Sequence, residues 1–352
     1  MNAVHILMIG GKRCGKTTVL ASMYEETAKV LAATSLSLTL SDSETQAHLK
    51  EAVDVIRSKM SAFDVPLTRV DVDENPTSAE KICTFHLKGP GLDMPIYMHD
   101  IPGEWLDDAS YTEKVKELVG FCQVIIIAID TPYLFSKMTL DGYGEYHLEY
   151  NRPDLVTNFF KEKISAEDLV DRLILFVPIK CERYYHLTNS DKLNIYFRNY
   201  MQELTGAVIA GYRDLIWYLR SAPALVNNCT IAITPILSAG GIDFVRFRMD
   251  EQTGKMVALY QKPEFLPAEE SGFSPRFCEQ PMIYTLVHIL IGNAPQINTP
   301  VKSGFFGRVK NNPQSLRTDI RTLQKKMKRN VGDISDDGYY IVQNADRLLR
   351  EP

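Results

Sequence analysis

The sequence predicts an α/β fold of three layers, with a mainly parallel sheet, one antiparallel edge hairpin and insertions. Two observations carry that prediction. Short apolar runs recur at 4–9, 82–87, 95–99, 122–129, 172–179 and 229–236, and most are separated by helical patterns. Alternation of this kind builds a parallel sheet covered on both faces. Directly after the first run stands Gly10-Gly11-Lys12-Arg13-Cys14-Gly15-Lys16-Thr17, which leads through Thr18 into a helical repeat of Val19, Leu20, Met23, Tyr24, Thr27, Val30 and Leu31.

Val4 to Ile9 is short, apolar and partly β-branched, as a buried parallel strand requires. The loop after it matches G-x-x-x-x-G-K-[ST], the Walker A pattern, in the strand–loop–helix setting that gives the pattern meaning. Its glycines let backbone N–H groups converge on an anion, and the helix N-terminus adds partial positive charge. Gly10, Gly11, Lys12, Arg13, Cys14, Gly15, Lys16, Thr17 and Thr18 are therefore the candidate contacts to nucleotide phosphates. Lys16 is expected to reach the terminal phosphates and the Thr17 hydroxyl to bind Mg2+. The fold expected is that of a P-loop NTPase.

The face Leu49, Val53, Ile56 and Met60 predicts a helix over Ser43 to Met60. It lies in an insertion at about 34–79. Only Lys88 to Met94 joins the runs at 82–87 and 95–99, too short for a helical crossover, so these pair as an antiparallel hairpin at a sheet edge. The hairpin ends in Asp100-Ile101-Pro102-Gly103-Glu104-Trp105. An aspartate at this point can hold the hydration shell of Mg2+, and Gly103 can offer its N–H to a terminal phosphate. Further strands close on Pro178-Ile179-Lys180-Cys181-Glu182 and Pro235-Ile236-Leu237-Ser238-Ala239-Gly240. Both loops stand at carboxyl ends of sheet strands, where open α/β folds bind ligands.

Asn189 to Leu219 reads as aromatic-rich and helical. Val245 to Met249 and Lys255 to Tyr260 flank a glycine-containing turn and read as a hairpin within a second insertion at about 241–279. Pro281 to Ile291 reads as the closing helix of a nucleotide domain spanning 1–295. The tail, 296–352, is basic and helical, with nine Lys or Arg against Asp319 between Lys302 and Arg329. Its stripe Leu316, Ile320, Leu323 and Met327 is expected to dock on the protein itself, with acidic lipid or RNA as the alternative partner.

The chain has 352 residues, 45% of them apolar, enough for a substantial core, and its net charge of −5 makes no global case for nucleic acid. The six cysteines are scattered without a C-x-x-C pair, which suits a reduced compartment. A core strand begins at once, leaving no room for a signal peptide, and no apolar run is long enough to span a bilayer. A cytoplasmic protein is expected. The seven histidines form no metal-spaced cluster.

The motif order resembles the translation-factor-related (TRAFAC) class of P-loop GTPases over roughly residues 4 to 292. The resemblance implies that Lys180 lies against the base, that Glu182 pairs with its N–H edge, and that the Ser238–Ala239 loop meets its oxygen. Two positions depart from the family pattern: Ile179 replaces a polar residue, and Glu182 is one methylene longer than the usual aspartate. Family order places the Mg2+-closing threonine in Asn75-Pro76-Thr77-Ser78, at Thr77. Many members carry glutamine after the D-x-x-G glycine; this chain carries Glu104, whose charge slows hydrolysis unless neutralised or turned away. Arg13 stands where the guanylate-binding protein family carries an internal arginine finger. Asp-x-Pro-Gly-Glu behind a large insertion is also similar to the prokaryotic double-GTPase group, which implies a second GTPase as partner and a nucleotide-dependent pair.

The resulting expectation is a switch that binds GTP with Mg2+ and hydrolyses it slowly to GDP and phosphate, stimulated by a protein partner. Metal contacts are Thr17, Thr77 and Asp100; catalytic groups are Lys16, Arg13 and Glu104. Two alternatives stand beside it. Glu104 favours a nucleotide-binding interaction module with negligible hydrolysis, and Ile179 favours a P-loop ATPase.

Overall fold

The structure is a computed structural model that describes residues 3–12, 14–61, 67–68, 79–136, 145–190, 197–249, 256–262, 272–297 and 313–352. The chain opens with β1 (Val4–Gly10) and α1 (Lys16–Leu31). Next come β2 (Ser37–Leu40), α2 (Ser43–Ser61) and the short β3 (Leu67–Thr68). β4 (Lys81–Gly89), β5 (Leu92–Asp100), α3 (Thr112–Phe121), β6 (Val124–Asp130) and α4 (Thr131–Phe135) follow. Then come α5 (Pro153–Lys163), β7 (Leu173–Ile179), α6 (Glu182–Ser190), α7 (Tyr200–Gly211), α8 (Arg213–Ser221) and β8 (Thr230–Ile233). The last elements are β9 (Asp243–Met249), β10 (Met256–Gln261), α9 (Glu279–Ile297), α10 (Pro313–Lys326), β11 (Tyr340–Gln343) and α11 (Asp346–Leu349).

The main sheet has eight strands in the order β11-β8-β7-β6-β1-β5-β4-β2. β8, β7, β6, β1 and β5 are parallel, and β6, β7 and β8 are buried on both faces throughout their length. Within β1 the side chains alternate: Ile6 and Met8 enter the core under α1 and α9, while Leu7 and Ile9 enter the core on the opposite face. β4 and β5 form the expected antiparallel hairpin, closed by Pro90 and Gly91, the latter at φ +76°. Proline presets the first turn position and glycine accepts the left-handed second one. β2 pairs antiparallel with β4 and adds one further strand outside the hairpin. α2 forms as the periodicity predicts, with Leu49, Val53 and Ile56 buried; the Met60 side chain lies outside the described residues.

The second insertion supplies β9 and β10, paired antiparallel, and β3 from the first insertion joins them in a separate sheet, β3-β10-β9. The hairpin turn, 250–255, lies outside the described residues. Phe244, Met256, Ala258 and Tyr260 pack with Tyr133, Tyr146 and Ala239 in a separate aromatic cluster. Tyr133 belongs to α4, which begins where β6 ends, so the hairpin sits at the carboxyl end of the parallel strands.

The tail folds back onto this frame. Leu316, Ile320, Leu323 and Met327 are buried in the same core as α1 and α9, so the apolar stripe of α10 is spent within the protein. β11 then pairs antiparallel with β8, and the Tyr339 hydroxyl donates to the Pro235 carbonyl at 2.6 Å. Such a short edge strand carries too little alternation to be recognised beside a stronger helical signal. All six cysteines are buried and unpaired. Among the described residues, no helix is long and apolar enough to cross a membrane.

Leu323 is fully buried beneath α9, so Leu323→Ala should cost about 2–5 kcal/mol of stability through lost burial and a residual cavity. Urea denaturation checks this. A loss below about 0.5 kcal/mol, as for an exposed surface change, would mean that α10 is not docked.

Candidate functional site

Three parallel strands deliver the site. In register, Met8 of β1 lies beside Asp100 of β5, and Gly10 lies beside Ala128 of β6. Their carboxyl ends therefore place the glycine loop, Asp100 and Asp130 along one rim, the position at which α/β sheets open toward ligands. Gly10 has to be glycine because a Cβ there would stand 2.7 Å from the Ala128 carbonyl oxygen. Gly15 adopts φ +104° immediately before α1, the conformation that turns the loop into the helix.

Lys16 begins α1 and is only 6% exposed, with Nζ 3.5 Å from the Gly11 carbonyl oxygen. The Thr17 hydroxyl donates to Asp100 Oδ2 at 2.8 Å. Asp100 is completely buried, and its Oδ1 has no hydrogen-bond partner among the described residues. Burial pushes its pKa above the ordinary carboxylate range, against the opposing pull of Lys16 and of the Thr17 hydrogen bond. A buried acid with one unpaired oxygen beside a lysine and a threonine hydroxyl is an oxygen-rich setting that suits Mg2+. Thr18 continues α1 next to them.

The D-x-x-G motif lies directly against the glycine loop. A Cβ on Gly103 would come within 2.6 Å of the Gly10 carbonyl oxygen and 2.7 Å of the Lys12 nitrogen. No other residue lets the two backbones approach this closely. A 3-10 turn over Gly103–Leu106 follows, and Glu104 forms an ion pair with Lys12 at 2.5 Å. Partial burial of the Glu104 carboxyl works to raise its pKa, but the Lys12 hydrogen bond and charge outweigh it and leave the group below the usual range. The negative charge of Glu104 is thus neutralised within the loop pair itself. Trp105 stacks on Tyr111 at 4.4 Å, and the Lys114 ammonium sits over its ring at 4.4 Å. Lys114 also pairs with Glu80, which bonds His99, and His99 meets His5 at 3.0 Å.

On the far side of the rim the third and fourth motifs converge. The Lys180 N–H donates to the Ser238 hydroxyl at 3.2 Å, and the Ser22 hydroxyl donates to the Ser238 carbonyl. Glu182 is buried at the start of α6, where its Oε1 accepts from the Ala239 amide at 2.8 Å and the Gly240 amide at 3.1 Å. Burial nevertheless raises its pKa, outweighing those amide donors. The acid and the Ala239 amide, which the family resemblance assigns to two different edges of a base, here satisfy each other.

Lys180 takes φ +59°, an uncommon conformation for a lysine, and its Nζ pairs with Asp130 Oδ2 at 2.7 Å. Its stem passes Gly15, with Cε 3.7 Å from where a Cβ would stand, and Nζ lies 5.6 Å from the Tyr260 ring centroid. Asp130 was not apparent from motif matching. Its signal is positional, since it ends an apolar strand at the carboxyl rim. It is buried, and its Oδ1 has no partner among the described residues. Asn151 brackets its backbone, accepting from the Asp130 N–H at 2.8 Å and donating to its carbonyl at 3.0 Å.

The structure therefore brings together Gly10, Gly11, Lys12, Cys14, Gly15, Lys16, Thr17, Asp100 and Gly103 on one side, and Lys180, Glu182, Ser238 and Ala239 on the other. Arg13 and Thr77 lie outside the described residues. No group of three or more His, Cys, Asp or Glu with metal-binding geometry occurs among the described residues.

Residues 5–165 match the model of the family described as Double-GTPase 2. The match spans the glycine loop, the Asp100–Trp105 motif and Asp130, and it ends before the Lys180 and Ser238 loops. No curated protein matches the chain.

Because burial raises the folded-state pKa of Asp100, the stabilising contribution of its carboxyl is full below the unfolded value of about 3.9 and lost as pH rises through the folded value. At neutral pH the ionised group is a cost. Asp100→Asn should therefore raise the melting midpoint of the protein without added ligand, while weakening Mg2+-dependent triphosphate binding about tenfold or more. Thermal melts and nucleotide titrations check both signs; a lower midpoint with unchanged binding would contradict this assignment.

Proposed function

We propose that the chain, whose residues 5–165 match the Double-GTPase 2 family model, binds GTP with Mg2+ and hydrolyses it slowly to GDP and phosphate, acting as a switch. The observation that carries this reading is the convergence of buried Lys16, the Thr17–Asp100 pair with its unpartnered Oδ1, and Gly103 against the glycine loop. Thr17 and Asp100 would hold the metal, with Thr77 as the third contact. The metal would supply positive charge to the terminal phosphates.

Lys16 and the loop amides would bind the phosphate chain, and the Gly103 N–H would meet its terminal group. In hydrolysis a water oxygen bonds to the γ-phosphorus as the bond to the β–γ bridging oxygen breaks. The water proton passes to the released phosphate, and GDP leaves. Glu104 would orient that water. Arg13 would add transition-state charge as a second subunit docks, on the order of 10³-fold in rate for such a finger. Arg13→Ala leaving turnover unchanged, with and without a partner, would remove that role.

Guanine is the base that fits the exchange at the far side of the rim. It presents N–H donors to an acid and a carbonyl to an amide, so it can replace both halves of the Glu182–Ala239 hydrogen bond. Adenine offers an amino group where the amide needs an acceptor, leaving buried groups unpaired. A second reading, a nucleotide-binding interaction module with negligible hydrolysis, is favoured by the engagement of Glu104 with Lys12. A second GTPase subunit is the proposed partner in either case.

Labelled GTP with Mg2+ should be displaced by GDP and not by equimolar ATP, with phosphate released slowly from the same sample. Equal displacement by ATP would contradict guanine selection, and binding without any phosphate release would favour the interaction module.

A further inference from the structure

Lys12 and Glu104 face each other across the seam where the glycine loop meets the D-x-x-G turn. Both side chains are accessible, 58% and 46% exposed, so this ion pair is not a buried structural element. An exposed bridge of this kind contributes at most about 1 kcal/mol to stability. Its position gives it a different use. The Lys12 backbone nitrogen lies against Gly103, the residue whose N–H is suited to a terminal phosphate, so the Lys12 side chain springs from the seam itself. Glu104 is the next residue along, and Lys16, the other cation at the seam, also lowers its pKa. A third phosphate brought to this seam would place fresh negative charge beside an ammonium already engaged by a carboxylate.

Resting on the nucleotide reading above, we propose that Lys12 is the residue by which the chain distinguishes a nucleoside triphosphate from a diphosphate. The Glu104 carboxylate holds the Lys12 ammonium when a third phosphate is not there to take it. The terminal phosphate, carrying more charge than one carboxylate, competes for Lys12 and releases Glu104. A diphosphate ends one phosphorus short and leaves the pair intact. Release of Glu104 frees the 3-10 turn Gly103–Leu106, which carries Trp105 and its stack on Tyr111. The discrimination is therefore coupled to the environment of a buried tryptophan.

Removing either member of the pair has opposite consequences. Lys12→Ala deletes the group that prefers the third phosphate. Glu104→Ala deletes its competitor. A bridge with only a structural role would shift both variants in the same direction, or neither.

The experiment measures affinity for a non-hydrolysable GTP analogue and for GDP, with Mg2+, in the full chain. Trp217→Phe serves as the parent, because Trp217 is 66% exposed on α8 and its removal leaves Trp105 as the sole tryptophan. The triphosphate-to-diphosphate affinity ratio should fall about tenfold in Lys12→Ala, the value of one lost charge-assisted hydrogen bond. It should rise about twofold to fivefold in Glu104→Ala, the value of releasing one exposed ion pair. Trp105 emission should respond to the analogue and not to GDP in the parent, and lose that difference in Lys12→Ala. A Lys12→Ala protein that keeps both the ratio and the emission difference would overturn the proposal while leaving the nucleotide reading intact. A parent that binds neither nucleotide would overturn the nucleotide reading, and the proposal with it.

Discussion

Asp100 ends a parallel strand fully buried, with the Thr17 hydroxyl on one oxygen and no partner among the described residues on the other. Few proteins retain such a group unless something else completes it, because an ionised carboxylate out of water is expensive. The same strand ends bury Lys16 and leave Asp130 with a second unpaired oxygen. The parallel arrangement forces these groups together, since β1, β5 and β6 reach their carboxyl ends at one rim. The loops around the rim, including the tight approach of Gly103 to the glycine loop, follow from bringing backbone amides close to that charge.

The rim has two halves with different degrees of internal satisfaction. In the half around the glycine loop, Lys12 and Glu104 neutralise each other at an accessible seam, while Lys16 and Asp100 are buried beneath it. In the other half, Glu182 bonds the Ala239 and Gly240 amides, and Lys180 bonds Asp130. A ligand entering the first half would meet an exchangeable Lys12–Glu104 pair above an Asp100 oxygen that has no partner among the described residues. One entering the second half exchanges hydrogen bonds already made, which yields selectivity more than affinity. The second sheet supplies the wall of this half, with Tyr260 near the Lys180 ammonium and Tyr133 stacked on Tyr150 at 4.2 Å.

Much of this is legible in the sequence alone. The continuous apolar runs specified the parallel strands, and the seven-residue link at Lys88 to Met94 specified the hairpin, because neither has another economical structure. Leu49, Val53 and Ile56 placed α2 for the same reason. β2 and β11 were not legible: four-residue strands at sheet edges have too few buried positions to carry a pattern. The glycine loop and Asp100 could be read from spacing because each lies in a short motif directly after an apolar strand. The Lys12–Glu104 pair and the engagement of Asp130 by Lys180 could not, since each joins residues 92 and 50 positions apart through the fold alone. Glu182 shows the limit of motif reasoning most clearly. Its position in the chain resembles a base-reading acid, yet only the fold reveals that it bonds the neighbouring loop.

On the proposed reading, phosphates and Mg2+ complete the buried Lys16, Thr17 and Asp100 group, and thermal melting tests this most directly. A ligand that binds only the folded chain raises the midpoint in proportion to its occupancy. GDP with Mg2+ should raise the midpoint more than GDP with chelator, and the increment should disappear in Lys16→Ala. A midpoint indifferent to GDP and Mg2+ in the unsubstituted chain would contradict the account.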